Sequence, residues 1–333
     1  MFKNGIVFAL CGVIVAGCTP SSTTGVVRSR ANSSGPFGMF SPDAVTVATP
    51  AAFKGLGKVV VGSFIVGFST YDTASASSGA YGNAAKNTLV GVDSTVMQRV
   101  VDTAYADLIA NLKAQGYTVV DRAELAANPG FAATKSYPNP YEDSSGGLFG
   151  NRSKISYVSP SGFGGTRIYQ GDIAMTLGGF GMDNPGVATG NYAEATGTRV
   201  IHAVYVLGFV NAASGMRLTK MVEVGQGITA KPNVTKLGII GRTGGVFASE
   251  NGTVTLGQPI TSDREFATIG KTTTDGAVAA EVAVNVLTSL MGAGSSTARD
   301  FAFTARPADY IAAATDALNQ VNAVFIAKMV SLR

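Results

Sequence analysis

Lys58-Val59-Val60-Val61-Gly62-Ser63-Phe64-Ile65-Val66-Gly67-Phe68 is the stretch on which the fold turns. It is apolar almost throughout, rich in β-branched and aromatic residues, and lacks helix-start signals, which predicts a strand buried on both faces. The next periodic element follows Asp93, where Met97, Val100, Val101, Ala104, Leu108 and Leu112 recur at spacings of three and four before Gly116. That pattern predicts an amphipathic helix with an acidic N-cap and a glycine stop. Tyr117 to Val120 then predicts a short strand, and Arg122 to Ala127 a short helix ended by Asn128-Pro129. Strand, helix, strand implies a sheet covered by helices.

Outward from this unit, Ser69 to Lys86 is a run of Ser, Ala and Gly that reads as a loop. Between 130 and 195 paired glycines and Pro138, Pro140 and Pro185 interrupt every short stretch, so the segment reads as an irregular, Gly-rich insertion without a helix. Its aromatics Tyr137, Tyr141, Phe149, Tyr157, Phe163, Tyr169 and Phe180 form either a contact surface or pins that fasten the insertion to the domain, with pinning favoured. Thr198 to Val210 and Met216 to Val224 predict a hairpin turning at Asn211 to Gly215. Apolar stretches follow at Val234 to Ile240 and Gly245 to Leu256, and a helix is predicted from Asp275 to about Met291. Pro307 opens a last helix whose stripe is Ile311, Ala314, Leu318, Val321, Phe325 and Met329. The expected fold is α/β, with a central mixed sheet flanked by helices, the insertion at 130–195 and an added C-terminal helix.

The N-terminus supplies the cellular setting. Lys3 precedes an uncharged apolar run from Gly5 to Gly17, too short to span a bilayer as a helix and typical of a secretory signal. The run ends in Val15-Ala16-Gly17-Cys18, which resembles the lipobox of bacterial lipoproteins. That resemblance implies cleavage before Cys18, lipidation of its thiol and amine, and an anchor of two or more chains. At roughly 0.8 kcal/mol per buried methylene such an anchor is effectively permanent. Residues 1–17 are thus read as signal, 18–50, with their Ser, Thr, Gly, Pro and Asn, as a flexible tether, and 51–333 as one domain. No Asp follows Cys18 at the position that retains lipoproteins in the inner membrane of enteric bacteria, so the outer membrane is the expected destination. Cys11 leaves with the signal and Cys18 is lipidated, so the domain has no thiol left for a disulfide.

Composition narrows the function. Charged residues make up 14% and the net charge is +4, which gives no concentrated basic face for nucleic acid. A single histidine, His202, excludes a multi-histidine metal site within one chain, and its apolar strand context favours a structural role. Gly225 to Ala230 matches a loose dinucleotide fingerprint, but Lys231-Pro232 stands where the helix should begin, so it reads as a turn. Gly270-Lys271-Thr272 resembles the end of a phosphate loop, yet Glu265 stands where the first glycine is required, and a strand end is expected. Glu142, Asp143, Asp172 and Asp183 lie loosely together without cation-loop spacing. No catalytic, cofactor-binding or metal-binding residue is assigned; Cys18 is the one site residue, as the lipid acceptor.

Three further stretches carry a family resemblance: Gly57 to Val61, Val119-Val120-Asp121-Arg122-Ala123-Glu124-Leu125, and Val206 to Leu218 with Asn211 and Ser214-Gly215 at the turn. Gly244-Gly245-Val246-Phe247 before a small-residue segment adds a fourth. Together they resemble, in pieces over about half the chain, the periplasmic domain shared by curli-secretion channel lipoproteins and lipoprotein activators of penicillin-binding proteins. The resemblance implies the fold and the envelope setting more than a transport activity; with the lipobox, the tether, the α/β pattern and the absence of a catalytic constellation it leads to the expectation of a non-enzymatic, lipid-anchored envelope protein that works in envelope assembly or secretion by binding other envelope proteins or its own copies, with a channel as one form. Arg167 to Leu177 and Gly245 to Leu256 are the strands then expected in a barrel, each alternating imperfectly. The alternatives are a periplasmic carbohydrate-active enzyme using the carboxylates of the insertion, and a surface adhesin or fibre subunit.

Overall fold

The computed structural model describes residues 21–26, 44–78, 81–143, 153–173, 185–214, 222–243, 250–262, 264–273 and 296–333. In chain order the elements are β1 (Ser21–Val26), β2 (Val45–Ala48), β3 (Lys58–Ser78), β4 (Tyr81–Val90), α1 (Ser94–Ala114), β5 (Thr118–Val119), α2 (Arg122–Ala126) and α3 (Pro129–Ala132). They continue with β6 (Tyr141–Asp143), β7 (Ser153–Val158), α4 (Pro185–Thr196), β8 (Arg199–Ser214), β9 (Val222–Ala230), β10 (Lys236–Ile240) and β11 (Gly252–Leu256). The last are β12 (Ile260–Thr261), β13 (Ala267–Lys271), β14 (Ser296–Ala305) and α5 (Pro307–Leu332). One mixed sheet of 14 strands joins them, with the path β13-β14-β4-β3-β8-β10-β11-β2. The fold is α/β, as the sequence pattern implies.

The lower half of β3 pairs in parallel with β8 from Val59↔Arg199 to Phe68↔Leu207, with a bulge between Val61 and Ser63. The bulge explains a break in the strand's alternation. Val59 and Val61 face the main core before it and Phe64, Val66 and Phe68 after it, so the extra residue Gly62 resets the period and keeps one face apolar. The same core takes Ile201, Ala203, Tyr205, Leu207 and Phe209 of β8. α1 and α5 cover this face. The Asp93 carboxylate caps α1 by accepting from the Val96 N–H at 2.9 Å, and all six predicted apolar positions of α1 are buried. Of the α5 stripe, Ala314, Leu318, Val321, Phe325 and Met329 are buried and Ile311 is partly so. The opposite face is closed by Leu125 of α2, Phe131 of α3 and Tyr192 of α4, and by Ile155, Tyr157, Ile168 and Ile173.

Several expectations change. Within the stretch read as a loop, Ser69 to Ser78 and Tyr81 to Lys86 are strand: β3 runs on to Ser78 and pairs with β4 from Tyr71↔Thr88 to Ser78↔Tyr81. Hairpin pairing, absent from local pattern, makes those Ser and Ala residues a strand. The 130–195 insertion contains a helix, α4, in which Ala188, Thr189, Gly190, Tyr192 and Ala193 are buried. A Cβ at Gly190 would lie 2.6 Å from the Thr243 nitrogen, so this helix packs closely because its residues are small. β1 and β2 lie within the stretch read as tether, and Val45 and Val47 of β2 face inward while pairing with β11. The hairpin after Thr198 is present, but Asn211 to Ser214 belong to β8 and pair with Val222 to Gly225 of β9. The helix predicted from Asp275 lies outside the described residues.

Candidate functional site

Two strand extensions leave the helix-covered core together. Because β3 and β8 are parallel neighbours up to Phe68 and Leu207, both continue in the same direction past that point. There they separate: β4 replaces β8 beside β3, while β8 pairs with β9 from Leu207↔Ala230 to Ser214↔Val222. β14 runs parallel to β4 from Ser296↔Gly82 to Thr304↔Val90, so its N-terminal end reaches the level of the β3 tip. β1 pairs with β9 at the same level, Ser21 opposite Glu223. The two branches are braced at their base. Phe209 meets Phe303 edge-on at 5.2 Å, the buried Gln226 Oε1 accepts from the N–H groups of Phe266 (3.2 Å) and Ala267 (2.8 Å), and Lys231 Nζ pairs with Asp72 at 3.1 Å.

Beyond that base each branch has an open edge. Among the described residues, which leave out 144–152, the ladder between β7 and β3 reaches Ser153↔Asp72 and the backbone of β3 from 73 to 78 is paired on the β4 side alone. β8 from 208 to 214 likewise pairs with β9 alone, having parted from β3 at Leu207. Neither edge contains Lys, Arg or Pro, the residues that normally blunt an exposed edge. The strands expected in a barrel are not these. Arg167 to Ile173 is irregular and Ile168, Tyr169 and Ile173 are buried in it, while Gly252–Leu256 is enclosed between β10 and β2. Their apolar residues serve the core, which is why their alternation is imperfect. Residues 174–177 and 245–249 lie outside the described residues.

His202 has a partner that its local sequence does not announce. Its Nδ1 lies 3.0 Å from Asp172 Oδ1, with the Asp172 side chain 0% exposed, and Asp172 Oδ2 accepts from the Tyr169 N–H at 3.2 Å. The Tyr169 ring stacks on the imidazole at 4.6 Å and 14°, and burial pushes the Tyr169 phenol well above its ordinary range. Nε2 turns to the neighbouring strand: Gly238 is the direct cross-strand partner of His202, and a Cβ there would overlap the imidazole. With one nitrogen on a buried carboxylate and the other against backbone, this pair fastens the irregular segment to the sheet. Among the described residues no hydroxyl or thiol is hydrogen-bonded to the imidazole.

The remaining sequence candidates disperse. Glu142 Oε1 accepts from Ser156 Oγ at 2.6 Å on β6, Asp143 pairs through its backbone with Ile155, and Asp172 is engaged with His202. Asp183 and Cys18 lie outside the described residues, as do Phe149 and Phe180. Among the described residues no three His, Cys, Asp or Glu side chains converge to hold a metal ion. Tyr157, Phe163 and Tyr169 are buried, and Tyr137 and Tyr141 pack on the same layer, so these aromatics are pins. Gly225 to Ala230 is the body of β9 and not a turn, and Gly270-Lys271 is the end of β13. The β9 glycines read as a turn because the sequence does not reveal the β8 pairing that holds them extended. Comparison of the chain with protein-family models, with curated proteins and with solved structures finds no match.

Proposed function

We propose that this chain is a lipid-anchored, non-enzymatic protein of the bacterial outer membrane that acts in envelope assembly or secretion by associating with its own copies. The observation that carries the reading is the pair of edges, on β3 (73–78) and β8 (208–214), that have no strand partner among the described residues, both on extensions that leave the core in one direction. Open edges are templates for strand addition from another chain. The two edges belong to different strands, so joining one to the other between copies is a head-to-tail contact, which forms a ring when its rotation closes. The lipobox supports the setting. Ser21 of β1 stands beside Glu223 at the extended end and only three residues after Cys18, so at about 3.3–3.6 Å per residue a lipid there reaches the same end as the open strands. A channel formed from these strands is the specific form in which secretion would be served.

The test is the size and appearance of full-length protein extracted from membranes in mild detergent. A ring-shaped homo-oligomer is expected in electron micrographs. A uniform monomer, with the lipid in place, contradicts self-association through these edges.

A further inference from the structure

Beside the bulge in β3, between the Phe163 ring, which packs edge-on against Tyr105 of α1, and the Phe131 ring of the opposite layer, two guanidinium groups gather without an ion-pair partner among the described residues. Arg122 of α2 lies with its Cζ 3.9 Å from the Phe163 ring centroid and 5.5 Å from that of Phe131. The Arg167 Cζ stands 4.8 Å from the same Phe131 ring, which is fully buried. Among the described residues neither arginine forms an ion pair, although Asp121 and Glu124 are close in sequence. Asp121 accepts from the Ala123 N–H at 2.8 Å and Glu124 from Tyr192 Oη at 3.0 Å. Arg122 Nε is buried without a hydrogen-bond partner, and its Nη2 reaches only the Gly62 carbonyl, at 3.4 Å. Arg167 Nε donates to Thr134 Oγ1 at 3.0 Å.

The sheet holds the pair in place. Gly62 is the bulge residue of β3, Ser63 Oγ donates to the Arg167 carbonyl at 2.7 Å, and Tyr169 Oη stands where a Gly62 Cβ would be, 2.6 Å away. Burial lowers the pKa of both arginines, and the neighbouring Arg167 charge lowers that of Arg122 further. The ring faces offset part of the cost of desolvating two cations, and among the described residues no counter-charge offsets the rest, which a bound anion would do.

The geometry points to an oxyanion site between Arg122 and Arg167, taking a free tetrahedral anion of the phosphate class. A carboxylate offers two oxygens, which one guanidinium fork already satisfies; two forks call for the additional oxygens of a tetrahedral ion. The site lies beside the bulge at Gly62, whereas the extended end of β3 is at Ser78, so a free ion suits it better than a lipid headgroup at that end.

The experiment follows the melting temperature of the full chain with inorganic phosphate, acetate or chloride at matched ionic strength. Phosphate well above its Kd should raise Tm by about 2–4 °C and saturate, while the other salts do not. Arg122→Gln and Arg167→Gln should abolish that rise, and the exposed Arg99→Gln should keep it. In phosphate-free buffer the two variants should melt at or above the wild-type temperature, because removing one guanidinium relieves the other. A purely structural stacking role predicts the opposite, a loss of the same size with and without phosphate, and that result overturns the site. Should the variants not fold, phosphorus NMR of phosphate with the wild-type chain decides: saturable line broadening supports the site and its absence refutes it. A Tm rise caused by phosphatidylglycerol vesicles and not by phosphate overturns the free-ion assignment.

Discussion

Asn322→Leu examines how α5 is fastened over the core. Asn322 is completely buried; its Oδ1 accepts from Tyr205 Oη at 2.8 Å, and its Nδ2 donates to the Ala104 carbonyl at 3.0 Å and to Asp107 Oδ2 at 2.8 Å. One amide thereby joins α5, α1 and β8. Leucine keeps the volume and removes all three bonds, but the partners suffer unequally. Asp107 Oδ2 still accepts from Asn111 Nδ2 at 2.9 Å, and the Ala104 carbonyl stays within helix α1. The buried Tyr205 hydroxyl is left with nothing. An orphaned buried hydroxyl costs roughly 1–3 kcal/mol and each lost bond about 0.5–1.5, offset in part by the more apolar side chain, for a net loss of about 2–4 kcal/mol. Tyr205→Phe alone should cost about 1–2 kcal/mol, because it leaves the Asn322 oxygen unpaired. In the double variant neither orphan remains, so its loss should fall short of the sum by about 1–2 kcal/mol. Urea denaturation followed by far-ultraviolet circular dichroism measures all four proteins. Losses that add to within about 0.3–0.5 kcal/mol would refute the network as the fastening.

Other consequences are equally open to measurement. Burial raises the phenol pKa of Tyr169, Tyr205 and Tyr310 above the ordinary 10.0, so the folded state holds protons that the unfolded chain releases. Stability from these groups is complete below pH 10 and is lost as pH rises through the folded values, by about 4 kcal/mol per pH unit for the three together; urea midpoints unchanged between pH 9.5 and 11 would contradict this. Gly238→Ala should cost about 1–3 kcal/mol by driving a methyl into the His202 ring, and His202→Ala in the same chain should recover much of that loss. A Gly238→Ala penalty unchanged by His202→Ala would show that the imidazole is not the obstacle. Proline at Ser75 or Ala76, adjacent positions whose N–H groups point to opposite edges of β3, should differ in effect. One should weaken the hairpin and lower stability, the other should reduce oligomer size with stability kept; equal effects from both would argue against the open edge as a contact.

What could be read from the sequence was what depends on near neighbours. Lys58 to Phe68, the α1 face and the α5 stripe carry their burial in their own periodicity, and each folds as its pattern implies. The upper parts of β3 and β4 did not announce themselves, because Ser, Ala and Gly have little strand preference and become strand only through pairing across the hairpin. α4 escaped for a related reason: its two glycines lower helix propensity, and only its fit against the Arg242–Thr243 backbone shows why small residues are needed. His202 lies within a strand, as its apolar run implies, whereas its partner Asp172 lies 30 residues away in an irregular segment with no periodic signal. The open edges were beyond reach, since an edge is defined by which strands fail to meet.

The central claim is association of copies through the open edges of β3 and β8, and cysteine pairing between copies tests it most directly. The sequence has two cysteines, Cys11 and Cys18, and the proposed cleavage and lipidation would leave neither as a free thiol, so an introduced pair would report alone. Chains carrying Ser77→Cys together with Ala213→Cys, oxidised in intact membranes, should give a ladder of covalent multimers ending at a fixed ring size, while either single variant should give no more than dimers. Monomers alone from the double variant, and from its neighbours shifted by one residue on either strand, would contradict the account.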